Sequence, residues 1–229
     1  MELFLINTPE MSVFEHMAFD ETLACRAADG RCFLRFYNWG SLPPAATFGY
    51  AQFFSDVKKE FEIKSFNGFF TRRPTGGGVV YHDGDLTFSL VFKSDLTRAA
   101  QIYEKLHGAV NAQIKSGLAG AVGKDAYAPR VNGEAGVCFS NPVENDILDE
   151  SGRKILGGAV RRFGNTVLYQ GSFRRAGARR DDALKTQIKT AFENLWGAEF
   201  THYEFDGNFM SSARAAAEIY KTETWIRKF

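Results

Sequence analysis

The chain has 229 residues, 45% of them apolar, and 28 Lys+Arg stand against 27 Asp+Glu for a net charge of +1. A chain of that length buries roughly 70–75% of its unfolded surface in its own core, and its charge balance excludes an acidic disordered tail and speaks against an electrostatic nucleic-acid binder. No run approaches the ~20 apolar residues of a membrane span, Met1–Asn7 lacks the basic and long apolar regions of a signal peptide, and Cys25, Cys32 and Cys138 have no metal-ligand spacing. A cytoplasmic protein without membrane or nucleic-acid partners is expected.

In chain order, Ser12-Val13-Phe14-Glu15 has the capping-box form, so a helix starts at Ser12. Phe14, Met17, Ala18 and Cys25 share its buried face, and Gly30 suits its end. Cys32–Tyr37 alternates as a strand, and Pro43-Pro44 breaks the chain before Ala45–Tyr50. Past Phe69-Phe70 and a glycine cluster, Val79–His82 and Leu86–Phe92 flank an Asp-Gly turn, which predicts a pair of antiparallel strands. Ile102, Leu106, Ala109, Val110 and Ile114 mark a helix through about Leu118, and 124–137 reads as a loop. Three strands fill Asn145–Phe173, with turns at Glu150–Gly152 and Gly164-Asn165. Leu184, Ile188, Ala191, Phe192 and Leu195 give a helix closed by Gly197, and a last helix follows Ser211-Ser212 towards Trp225. With no repeat or linker, residues 1–229 read as a single domain of α+β class, with largely antiparallel sheets and packed helices.

Three segments can carry chemistry. Arg72-Arg73-Pro74-Thr75-Gly76-Gly77-Gly78-Val79-Val80-Tyr81-His82-Asp83 exposes backbone amides at three glycines, with two arginines beside them to bind an anion. A flexible hairpin with solvated arginines is the competing reading of a bare triple glycine, and the Arg-Arg and His-Asp flanks favour a ligand loop. In Gly152-Arg153-Lys154-Ile155-Leu156-Gly157-Gly158-Ala159, burial of the Lys154 ammonium demands an anionic partner, and the glycines let a ligand lie along the strand. A surface hairpin lysine is the alternative. Cys138, ahead of Asn145-Asp146, is either a packing thiol or a nucleophile whose pKa a cation lowers. Asp146 can hold magnesium, orient Lys154 or serve an ordinary turn.

Taken together these segments resemble the lipoate–protein ligase A family, grouped with biotin protein ligases and octanoyltransferases. The matching residues run through most of the chain: Met17-Ala18-Phe19-Asp20-Glu21, Leu34–Trp39, Thr47–Gln52, Arg72–His82, Asn145-Asp146, Gly152–Ala159 and Tyr169-Gln170-Gly171-Ser172. The resemblance implies a catalytic domain like that of biotin and lipoate protein ligases. It also implies attachment of a lipoyl or octanoyl group to a lysine of lipoyl carrier domains, in 2-oxoacid dehydrogenases or the glycine-cleavage H protein. In the ligase form ATP and magnesium, the latter at Asp146, produce an acyl-adenylate. Lys154 is then catalytic, and Arg72, Arg73, Gly76, Gly77, Gly78, Val79, Val80, Tyr81, His82, Asp146, Gly157 and Gly158 join it in binding. In the transferase form Cys138 takes octanoate from acyl-carrier protein as a thioester, with Lys154 lowering its pKa and without ATP. The intact triple glycine ranks the ligase first, so Cys138→Ser is expected to keep ATP-dependent activity. A non-catalytic module that binds a lipoyl or biotinyl group or a carrier is a third reading. The chain stops soon after Trp225, which implies that the C-terminal accessory domain of many bacterial ligases is lacking or supplied by a separate subunit.

Overall fold

A computed structural model describes residues 1–27, 30–40, 43–117 and 146–229. Cys138, Leu118 and the loop expected at 124–137 lie outside the described residues. The chain begins β1 (Glu2–Ile6), α1 (Val13–Arg26), β2 (Arg31–Phe36), β3 (Ala45–Phe48), α2 (Phe54–Ile63), β4 (Phe69–Arg72) and β5 (Val80–His82). It continues β6 (Leu86–Lys93), α3 (Ala99–Gly117), β7 (Ile147–Leu148), β8 (Lys154–Phe163) and β9 (Thr166–Phe173). The final elements are α4 (Asp182–Trp196), β10 (Phe200–Tyr203), α5 (Gly207–Tyr220) and α6 (Glu223–Ile226).

A seven-stranded sheet has the order β10-β1-β2-β6-β9-β8-β7, and a three-stranded sheet the order β4-β3-β5. β1 pairs in parallel with β10 and β2, and β3 with β4; the other five pairings are antiparallel. The class is therefore α+β. Period-two alternation decides the layers. Leu86, Phe88, Leu90 and Phe92 of β6 join Val167, Tyr169 and Phe173 of β9 against α3 and α4. Their neighbours Val91 and Leu168 pack on the opposite face with Phe19 and Leu23 of α1 and Phe209 of α5. That opposite face also carries Thr87, Ser89, Gln170 and Ser172, all buried. Polar residues on a buried face need partners there, and the functional site is built from them.

Helix α1 starts as the capping box predicts: the Glu15 N–H donates to Ser12 Oγ at 3.3 Å, and the Ser12 N–H to Glu15 Oε2 at 2.8 Å. It stops at Arg26, ahead of Gly30, whose φ of 76° suits glycine in the turn into β2. Gly197 closes α4 in the left-handed conformation. Two expectations fail. Val80–His82 and Leu86–Lys93 do not pair with each other, because β5 adds to β3 while both edges of β6 are taken by β2 and β9. The Asp-Gly turn thus carries the chain from one sheet to the other. The last helix begins earlier, at Gly207, because the Asp206 carboxylate caps it through the Phe209 N–H at 2.7 Å. It ends at Tyr220, and Thr222 caps a separate α6.

Candidate active site

A cavity opens where the two sheets face each other. Met17 of α1, Tyr37, Thr47 of β3, His82 of β5, Gly157–Ala159 of β8 and Gln170–Ser172 of β9 line it, with Arg73. The loop of residues 73–79 joins β4 to β5 beside it. Each carbonyl of this loop from Pro74 to Gly77 meets a neighbour. Arg161 donates to Pro74 O at 3.3 Å, the Tyr50 N–H to Thr75 O at 2.8 Å, and Arg73 to Gly76 O at 2.5 Å. Gly77 O approaches Gly49 so closely that a Cβ at Gly49 would stand 1.8 Å from it. Among the described residues, the amides of Gly76, Gly77 and Gly78 donate to no backbone carbonyl. Three carbonyls of the loop are occupied and these N–H groups are not, which is what an anion cradle requires.

Lys154 is the first residue of β8, and Asp146 immediately precedes β7. The pairing of Leu148 with Lys154 brings the two together, with Nζ 2.8 Å from Asp146 Oδ2 and both side chains 2% exposed. Gly157 explains how the lysine lies: a Cβ there would meet Lys154 Cε at 2.1 Å and Nζ at 2.5 Å. The lysine stem therefore folds back along its own strand, over a residue that lines the cavity. The space vacated at Gly158 is likewise filled, by the Tyr169 ring. Both glycines reach the cavity through their backbone, and the room left by their missing side chains belongs to Lys154 and Tyr169 instead of a ligand.

His82 sits in a relay of buried groups. Its Nδ1 lies 3.0 Å from Asp85 Oδ2, its Nε2 lies 3.0 Å from Thr47 Oγ1, and its ring stacks on Trp39. Asp85 also accepts from Thr87 Oγ1 at 3.0 Å and Ser172 Oγ at 2.5 Å. Burial pushes the Asp85 carboxyl up, but the His82 charge and these hydrogen bonds outweigh it and hold the group below its ordinary value. A second network surrounds Asp20. Arg35 pairs with it at 2.5 Å, Ser89 donates at 2.8 Å, Gln170 at 2.9 Å, and the Tyr37 hydroxyl donates as well.

Three of the expected binding residues point elsewhere. Arg72 is buried with its guanidinium turned to the carbonyls of Gly49, Tyr50, Gln52, Trp225 and Ile226, so it clamps the C-terminal segment to the chain that follows β3. Successive side chains of an extended backbone leave on opposite sides, which is why its neighbour Arg73 reaches the cavity. The same alternation sends Val79 into the core around α2 and Tyr81 towards Glu60 at 3.1 Å, while Val80 and His82 face inward. Asp146, expected as a magnesium ligand, pairs with the Lys154 ammonium, and no group of three His, Cys, Asp or Glu occurs among the described residues. Sequence reasoning missed Asp85 and the roles of Thr47 and Gln170, because separate strands bring them together. Asp20 and Gln170 were visible only as letters of longer motifs.

The glycine loop, the buried Lys154–Asp146 pair and the slot between the two sheets are all carried by one α+β domain. Residues 12–182 match the lipoyl protein ligase A/B catalytic domain, and the chain belongs to that family. It is 32% identical to octanoyltransferase LipM of Anoxybacillus flavithermus over 182 residues, covering 73% of this chain and 63% of that protein. The chain thus spans less than two thirds of the length of such curated relatives. The fold matches a Thermoplasma acidophilum protein described as a lipoate protein ligase with lipoic acid bound, with a TM-score of 0.78 at 23% identity over the full length of both. It also matches lipoate-protein ligase A bound with ATP, with a TM-score of 0.76 at 22% identity over 99% of each chain. At those identities the likeness shows the fold alone. No helix of the described residues is long and apolar enough to cross a membrane.

Proposed function

We propose that the chain is an octanoyltransferase that moves an octanoyl group from acyl-carrier protein to the lysine of a lipoyl carrier domain without ATP. The observation that carries this reading is the 32% identity to octanoyltransferase LipM over 73% of the chain. It favours the ATP-free reading over the ATP-first expectation, because the solved ligases contribute only their fold.

The steps follow from thioester chemistry. The Cys138 thiolate attacks the octanoyl thioester, and the carrier's thiol leaves with the proton that Cys138 gave up. The amine of the target lysine then attacks the Cys138 thioester, an amide forms, and the thiolate returns. Each step passes through a tetrahedral oxyanion. The amides of Gly76–Gly78 and the Lys154 ammonium stabilise it, and fixed donors of this kind contribute about 10²–10³ in rate each. The carrier domains of 2-oxoacid dehydrogenases and the glycine-cleavage H protein are the proposed acceptors. Intact-mass spectrometry tests the proposal: wild-type protein mixed with octanoyl-acyl-carrier protein and no ATP gains one octanoyl group on Cys138 and passes it to an apo-lipoyl domain. Modification of the carrier only with free lipoate or octanoate plus Mg-ATP overturns it.

A further inference from the structure

We infer that Gln170 is a positioning residue, which fixes the glycine loop by joining Thr75 to the buried Asp20–Arg35 pair. Its consequence for transfer rests on the function proposed above. Gln170 lies on β9, on the face towards the cavity, and is 7% exposed. Its Oε1 accepts from Thr75 Oγ1 at 2.6 Å, and its Nε2 donates to Asp20 Oδ2 and to the Tyr37 hydroxyl, both at 2.9 Å. The amide therefore uses both hydrogens and its oxygen.

Its polarity is dictated from outside. Asp20 already accepts from Arg35 at 2.5 Å, from Ser89 at 2.8 Å and from the Tyr37 hydroxyl, so its oxygens meet their neighbours as acceptors. The Tyr37 hydroxyl spends its hydrogen on Asp20, so it too can only accept from Gln170. The nitrogen end of Gln170 must face these two, which leaves its oxygen aimed at Thr75. Asp20 is itself immobilised by α1, by Arg35 of β2 and by Ser89 of β6, all buried. Four elements of the large sheet and its helix thus direct one acceptor at the residue that opens the Gly76–Gly78 cradle. A buried hydroxyl that loses its acceptor is costly, so the Thr75 side of the loop follows Gln170.

Gln170→Leu removes both ends of the junction; Gln170→His restores one donor and one acceptor on a ring of similar reach. In intact protein, exchange of the Tyr50 amide, whose N–H donates to Thr75 O at 2.8 Å, should quicken about tenfold in Gln170→Leu, the loss expected from one hydrogen bond, with α4 unchanged. Gln170→His should return exchange towards wild type. In the transfer assay, Gln170→Leu should lower kcat about tenfold or more while the KM for octanoyl-acyl-carrier protein stays within about twofold, because the donor's remote contacts are untouched. Should Gln170→Leu fail to fold, Thr75→Val keeps the shape, removes the hydroxyl that Gln170 accepts from, and supplies the same comparison. Unchanged exchange at Tyr50, or a loosened loop that Gln170→His does not restore, overturns the inference. The exchange reading needs no acyl donor, so a wild type that fails to load octanoate sinks the proposed function and leaves the Gln170 result to be judged on its own.

Discussion

Replacing Lys154 by methionine keeps most of the stem and deletes the ammonium that lies 2.8 Å from Asp146 Oδ2, with both side chains 2% exposed. The carboxylate is then buried without that partner. Breaking such a pair by removing one member costs about 3–5 kcal/mol. A second route gives a similar figure: protonating a carboxyl of ordinary pKa near 3.9 at pH 7 costs about 4 kcal/mol. Either value is a large share of the roughly 5–15 kcal/mol that holds a domain folded. Lys154→Met alone therefore confuses catalysis with folding. The double variant Lys154→Met/Asp146→Leu separates them, because replacing both ions by apolar groups of similar size is often neutral for stability. Urea denaturation should show a loss of about 3–5 kcal/mol in the single variant and recovery of most of it in the double. The folded double variant should still transfer octanoate about 10²–10³ times more slowly than wild type. A single variant that loses under about 1 kcal/mol refutes the buried-pair argument. A folded double variant with near-normal turnover refutes the catalytic role of Lys154.

Cys138→Ser should abolish ATP-free transfer, because a serine hydroxyl near neutral pH is almost wholly protonated and forms no thioester; the assay is octanoyl loading by mass spectrometry. Gly77→Val forces a β-branched side chain onto a φ of 89°, so thermal unfolding should show a loss of about 1–3 kcal/mol together with loss of acyl loading. Gly49→Ala places a Cβ 1.8 Å from Gly77 O, and should displace the loop and lower kcat with the carrier KM unchanged. Burial, reinforced by the Arg35 charge, holds the His16 imidazole well below its ordinary value of 6.5. The unfolded chain therefore binds a proton below pH 6.5 that the folded chain refuses. Stability from this group is present above pH 6.5 and falls by up to about 1.4 kcal/mol per pH unit as the medium is acidified, which denaturant titrations from pH 7.5 to 5 should record.

What the sequence determined by itself is local. The Ser12–Glu15 box starts α1 because its bonds span three residues, and Gly197 ends α4 because it adopts the left-handed conformation that favours glycine. Motif order along the chain likewise marked the glycine loop, Lys154 and Asp146. The short strands β1, β4 and β10 and helix α2 escaped notice, since four or five residues hold too few alternations to declare a strand and α2 follows Phe53, whose side chain cannot cap it. Only the tertiary structure decided which neighbour each strand takes. The Asp83-Gly84 turn is compatible with a hairpin, yet β5 joins one sheet and β6 the other. The same holds for the site. Arg72 and Arg73 look equivalent in sequence, but extended backbone sends one to the carbonyls of the C-terminal segment and the other to the cavity. Asp20 and Gln170 lie 150 residues apart and meet Tyr37 because β2, β6 and β9 are neighbours in one sheet, while Thr75 comes to them from the other sheet, on the loop between β4 and β5. Hydrogen bonds across strands depend on pairing and register, and a linear pattern carries neither.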